Sequence, residues 1–250
     1  MITFSKLGRY GRLANQMFQY AALVGVAKKT EFDYGLNIIK TDDSYSYFFL
    51  DELFEINVKP FVGTIKYIYN ESYGHFDSRI FDIPDQTDLF GYFQTAKYFE
   101  HCEDEIFRQF TIKKKYEDIA SSYGVNFTSI HIRRGDYVNT GHYYVCDEEY
   151  VKKACEIVCD KTYFIFSDDI KWCKNNLKDK RFVFIEDLDT FGSFTLMSKA
   201  RNNIIANSSF SWWAAYLNKN LDKKVVAPKK WYGSIQVNTK DLYIDSWIKI

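Results

Sequence analysis

Apolar positions along the chain change their rhythm about halfway. Residues 2–4 are short and β-prone, a loop with Gly8 and Gly11 follows, and Met17, Phe18, Ala21, Ala22, Val24 and Gly25 then recur on one helical face. The opening therefore predicts strand, glycine loop and a helix from near Asn15. Between Asp33 and Pro84 aromatic and charged residues mix without a period, and no element is assigned there. Phe99, Cys102, Ile106, Phe107 and Phe110 predict a second helix over 95–113, with Glu100, Glu103, Asp104 and Arg108 toward water. After Lys113–Lys115 and a Ser-Ser-Tyr-Gly stretch the pattern alternates. Strands are predicted at 125–132, 162–166, 182–185, 203–206 and 224–227, and helices at 148–158, 170–177, 195–200 and 210–217. Strands separated by helices imply βαβ units and a parallel sheet. The boundary is placed near 122, giving segments 1–122 and 123–250, the second Rossmann-like. No internal repeat or low-complexity tract interrupts either.

Composition narrows the class. The chain has 250 residues, 46% of them hydrophobic, enough for a large core. With 33 basic and 33 acidic residues the net charge is zero, so no global field draws it to nucleic acid or an anionic membrane, and any anion site has to be local. Aromatic content of 19% suits sugar faces, although most rings are expected in the core. Five cysteines cannot all pair, and reduced thiols are expected. Cys155 and Cys159 stand four apart without further ligands, so no metal is expected. The N-terminal segment does not read as a signal peptide, and no apolar stretch approaches a membrane span, so residence in the cytoplasm is expected.

Three polar clusters fall at predicted strand ends, where open parallel sheets collect ligands. In the first, Arg133 and Arg134 follow a β-branched run and offer planar forks to phosphate oxygens. Gly135 permits a turn, and Asp136 could hold an arginine or accept a proton. His131 lies where it could reach a nucleotide. In the second, Asp168 and Asp169 suit either ribose hydroxyls or helix N-caps. In the third, Asn207, Ser208, Ser209 and Ser211 surround Phe210 at a helix start, where hydroxyls and amide N–H groups serve equally as caps and as an anion cradle. Trp212 and Trp213 are read as core, and His142 as a surface-loop residue that could act as acid or base.

The ordered segments GRLANQMFQYA (11–21), GYFQTAKYF (91–99), HIRRGDY (131–137), FSDD (166–169) and IIANSSFSWWAAYLN (204–218) resemble the α-1,2-fucosyltransferases of glycosyltransferase family 11. The resemblance spans nearly the whole chain. It implies a GT-B-like α/β fold of two Rossmann-like domains facing a cleft, with an acceptor-side domain (1–122) and a donor-binding domain (123–250). It also implies metal-independent, inverting transfer from GDP-β-L-fucose to a glycan acceptor, with no cofactor. By position, Arg133 and Arg134 correspond to the diphosphate contacts, Asp136 to their support and first base candidate, and His131 to a residue near the nucleotide. Ser208 to Ser211, with Asn207 and Phe210, complete the cradle, and Arg12, Asn15, Gln16 and Gln94 face the cleft. Arg133, Asp136 and Asn15 are the catalytic candidates. Ala14 stands in place of a usual glycine, Ala214-Ala215 stands where the family commonly has Gly-Ala, and Ser193 replaces an acidic residue suited to guanine. That last departure leaves open a transferase for another nucleotide sugar, and the aromatic excess and the short chain leave open a non-catalytic sugar- or nucleotide-binding protein.

Overall fold

The computed structural model describes residues 1–38, 47–72 and 75–250. The chain forms two compact units, Met1–Lys113 with Asn238–Ile244, and Lys114–Val237 with Asp245–Ile250. The first division thus precedes helix α4 below, where the sequence pattern suggested residue 122.

In the first unit, Ile2 and Thr3 form parallel bridges to Tyr34 and Asp88, with helix α1 (Leu13–Thr30) between the first pair, which makes a βαβ unit. A short helix α2 (Leu50–Leu53) follows, and strands β1 (Tyr67–Asn70) and β2 (Thr87–Phe90) pair in parallel. The expected apolar face of α1 is in fact an apolar cylinder: residues 13–27 are buried except Asn15, and the helix forms the centre of the unit. The helix expected over 95–113 is broken into 3-10 turns Ala96–Tyr98 and Glu100–Cys102 followed by helix α3 (Glu103–Gln109). Its apolar residues do not share one face because the chain turns at Phe99 (φ −142°), burying both Tyr98 and Phe99. The Tyr98 carbonyl packs directly against Gly25, where a Cβ would lie 2.1 Å from it.

The second unit contains α4 (Lys114–Ser121), β3 (Thr128–Ile132), α5 (Tyr137–Thr140), α6 (Glu148–Val158), β4 (Tyr163–Ser167), α7 (Ile170–Asn176), β5 (Phe182–Phe184), α8 (Thr190–Ser198), β6 (Asn202–Ile204), α9 (Ser209–Tyr216), β7 (Val225–Ala227) and β8 (Ile248–Lys249). All six strands are parallel, in the order β5-β4-β3-β6-β7-β8. Counted within the unit this is 3-2-1-4-5-6, the doubly wound arrangement, whose crevice opens where the winding reverses, between β3 and β6. Ile130, Ile132, Ile165, Ile204 and Val226 bury one sheet face against Val151, Ala154 and Val158 of α6. On α9, Trp212 and Trp213 are fully buried, as core residues. The alternation sets where each strand ends, and therefore which polar residues reach the crevice.

Candidate functional site

The winding of the sheet brings the three polar clusters to one edge. β3 delivers His131 to Tyr137, its neighbour β4 delivers Ser167 to Asp169, and β6 leads into Asn207 to Ser211. His131 is buried and its Nδ1 lies 2.9 Å from Ser211 Oγ. That hydroxyl is also 3.3 Å from the Ser208 carbonyl, so one contact chain ties the end of β3 to the first turn of α9. Burial, reinforced by the Arg133 charge, pushes the His131 imidazole down to about 3, which keeps it neutral at working pH. Phe210 closes over it with ring centroids 5.6 Å apart.

The two arginines have different surroundings. Arg133 Nη2 donates to Asp136 Oδ1 at 2.6 Å and its Nη1 lies 3.0 Å from Asp168 Oδ2, with the guanidinium beside the Tyr137 ring. About a quarter of its side chain remains exposed (26%), which leaves it accessible to a ligand. Arg134 is turned sideways: its guanidinium carbon sits 3.8 Å from the centroid of Trp172, and its Nε is 3.3 Å from Asp169 Oδ2. Asp169 also caps α7, accepting from Trp172 N–H at 3.1 Å. Of its two readings from sequence, the cap is the one the geometry displays.

Asp168 holds the loop itself. Its Oδ1 accepts from the Arg134 backbone N–H at 2.8 Å, and a Cβ on Gly135 would stand 2.4 Å from its Oδ2. Gly135 has no left-handed φ, and a side chain there would have to displace the end of the Asp168 carboxylate. Asn207 is buried and structural, donating through Nδ2 to the Trp231 carbonyl at 2.6 Å. Ser208 caps α9. The amide N–H groups of a helix's first turn have no partner within the helix, and here that turn borders the crevice. His142 sits on an exposed loop whose carbonyl accepts from Gly233 N–H at 2.8 Å.

In the first unit, two of the four residues implied by resemblance meet: Gln94 Nε2 donates to Asn15 Oδ1 at 3.0 Å. Gln16 is fully buried and committed to the Gly11 and Tyr47 carbonyls and the Phe49 N–H, so its amide organises loops. Arg12 is exposed at the start of α1 and makes no side-chain capping bond. Ser193 lies on the first turn of α8, with its N–H on the Asp189 carbonyl, and Asp189 Oδ1 is engaged by Gly192 N–H at 2.7 Å. The sequence reading assigned no role to Trp172 or Tyr137. A tryptophan three residues past a capping aspartate was the available signal for the first. The second stood inside the motif, and its hydroxyl donates to the Asn207 carbonyl at 3.2 Å. Among the described residues no cluster of His, Cys, Asp and Glu is arranged to hold a metal ion, and no helix is long and apolar enough to cross a membrane.

A 3-2-1-4-5-6 parallel sheet with arginines and a helix start at its reversal defines a doubly wound α/β architecture, whose reversal is where such sheets take ligands. The model of Glycosyl transferase family 11 matches residues 5–250, and the chain belongs to that family. It is 35% identical to the O-antigen biosynthesis glycosyltransferase WbnK of Escherichia coli over 65% of this chain and 60% of that one. To an alpha-1,2-colitosyltransferase of Escherichia coli it is 36% identical, over 65% and 62%. To galactoside alpha-(1,2)-fucosyltransferase 2 of Rattus norvegicus it is 27% identical, over 87% and 67%. The matched region thus spans only 60% and 62% of the lengths of the two bacterial relatives. The fold is similar to that of the fucosyltransferase NodZ from Bradyrhizobium (TM-score 0.57, 11% identity, 86% of this chain and 91% of that one). It is also similar to POFUT1 in complex with GDP (TM-score 0.53, 13% identity, 88% and 93%). These likenesses identify the architecture as GT-B-like, α/β with parallel sheets.

Proposed function

We propose that this chain is an inverting, metal-independent glycosyltransferase that moves L-fucose from GDP-β-L-fucose to a hydroxyl of a glycan acceptor, forming an α-1,2 linkage. The observation that carries the reading is Arg133, partly exposed and held by two carboxylates at the end of β3, the strand whose His131 contacts Ser211 in the first turn of α9. A departing nucleoside diphosphate develops charge that has to be met in place. A pre-aligned guanidinium and a helix start meet it without a metal ion. His131, neutral and fixed, contributes a polar edge whose protonation does not vary with working pH. Asp136, largely exposed and bonded to Arg133, is the first candidate to accept the acceptor's proton, with His142 second. An oxocarbenium-like transition state asks little of that base. Asn15, paired with Gln94, is proposed to serve the acceptor side with Arg12. All five cysteines are free thiols, which suits work in the cytoplasm.

The test is a thermal-shift comparison of GDP, UDP, ADP and dTDP, followed by transfer from GDP-fucose to galactose-terminated glycans with EDTA present. Stabilisation by GDP above the others and turnover in EDTA are expected. Failure of GDP to stabilise the protein would sink the guanine assignment. A second donor is favoured by the 36% identity to an alpha-1,2-colitosyltransferase: GDP-colitose in place of GDP-fucose. Direct competition between the two donors decides it.

A further inference from the structure

The strand-end pair Asp168-Asp169 invites a ribose-binding reading, but the atoms around Asp168 are already arranged for something else. One carboxylate oxygen accepts from the backbone N–H of Arg134 at 2.8 Å. The other lies 3.0 Å from Nη1 of Arg133. The same oxygen packs against Gly135, where a Cβ would lie 2.4 Å from it and would have to displace it. β4 supports this from the side, because its pairing with β3 in register, Ile132 opposite Ser167, sets the height at which Asp168 meets the loop. A single carboxylate therefore fixes both the backbone that carries Arg133 and the guanidinium it presents.

We infer that Asp168 is a positioning residue: it aligns Arg133 toward the terminal phosphate of a nucleoside diphosphate and does not itself bind the ribose. The assignment rests on the proposed function, from which it takes the ligand. Asp136 holds Nη2 from the solvent side and Asp168 holds Nη1 from the sheet side, so the guanidinium is clamped in one orientation. A bidentate donor is effective only in that state, because a misplacement of about 1 Å costs about 100-fold in rate.

The two roles separate by which phosphate is probed. A residue that holds ribose contributes equally to GMP and GDP, whereas one that aligns Arg133 contributes only where a second phosphate is present. Titration calorimetry of Asp168→Ala with GMP and GDP, alongside Arg133→Ala and the double variant, tests this. The expected result is GDP affinity weakened about 10-fold or more, GMP affinity unchanged, and kcat lowered about 100-fold. The double variant should be little worse than Arg133→Ala alone, because the two side chains act as one unit. Equal weakening of GMP and GDP would overturn the assignment, as would additive losses or unchanged GDP affinity. Should Asp168→Ala fail to fold, Asp168→Asn retains an acceptor for the Arg134 N–H while removing the charge from Arg133, and the same GMP and GDP comparison applies. Wild-type protein that binds neither nucleotide would refute the proposed function itself, a result distinct from any of these.

Discussion

At the scale of single residues, adjacent arginines in one motif stand in different surroundings, Arg133 between two carboxylates and Arg134 on the Trp172 ring. Arg133→Ala is expected to leave the melting temperature nearly unchanged, because the side chain is partly exposed and its loss opens no cavity. It should lower kcat by about 100- to 1000-fold, as removal of a transition-state donor does. Trp172→Leu acts the other way. Losing the platform under Arg134 should destabilise the fold by about 1–2 kcal/mol while Arg133 chemistry persists, measurable as paired denaturant melts and kcat. His131 gives a pH signature. Its folded pKa, about 3, lies below the ordinary histidine value, so between the two the unfolded chain binds a proton that the folded one does not. Stability therefore declines as pH falls from about 6.5 toward 3, and His131→Asn should flatten the melting temperature against pH in that window. The placement of His131 and Arg133 at a strand end was legible because a β-branched run ends at them. The contact of Asp168 with the Arg134 N–H was not, because the two residues lie 34 positions apart in the chain.

At the scale of elements, the sequence reads well where local signals and burial agree. Helix α6 was expected at 148–158 and forms there, with Asp147 accepting from Tyr150 N–H at its start and Cys159 in the left-handed conformation at its end. Where tertiary packing overrides periodicity, the reading fails. Helix α8 was expected from 195 but begins at Thr190, since Gly192 and Ser193 mask a first turn that the Asp189 carboxylate caps. Strand β8 is two residues long and pairs only with β7, so no local pattern announces it. The same packing makes a prediction about α1. Gly25→Ala places a methyl 2.1 Å from the Tyr98 carbonyl, a backbone atom that cannot rotate away. Helix propensity alone would favour alanine by about 1 kcal/mol, whereas overpacking costs about 1–3 kcal/mol, so the variant should be the less stable in urea melts.

At the scale of the whole molecule, the chain does not simply finish one unit and start the next. Asn238–Ile244 belongs to the first unit, after which Asp245–Ile250 returns to the second and contributes β8. Asp241 secures the returning segment: it is buried, pairs with Lys97 Nζ at 2.5 Å and accepts from Phe76 N–H at 3.1 Å. Burial alone would raise its pKa, but the hydrogen bonds from Lys97 and the Phe76 N–H outweigh that and bring it below the usual carboxylate value. A carboxylate depressed on folding stabilises the protein above its unfolded pKa and loses that contribution as pH falls through the folded one. The window here is acid, below about pH 4. Asp241→Asn keeps an acceptor for Phe76 but removes the charge, so it should cost about 1–3 kcal/mol at neutral pH. The difference from wild type should shrink as both are acidified, whereas a variant gap that is constant from pH 7 to pH 2 would show that the ion pair does not hold this segment. Amide exchange at Phe76, whose N–H bonds to the Asp241 carboxylate, is expected to quicken in the same variant, because the neutral amide is the weaker acceptor.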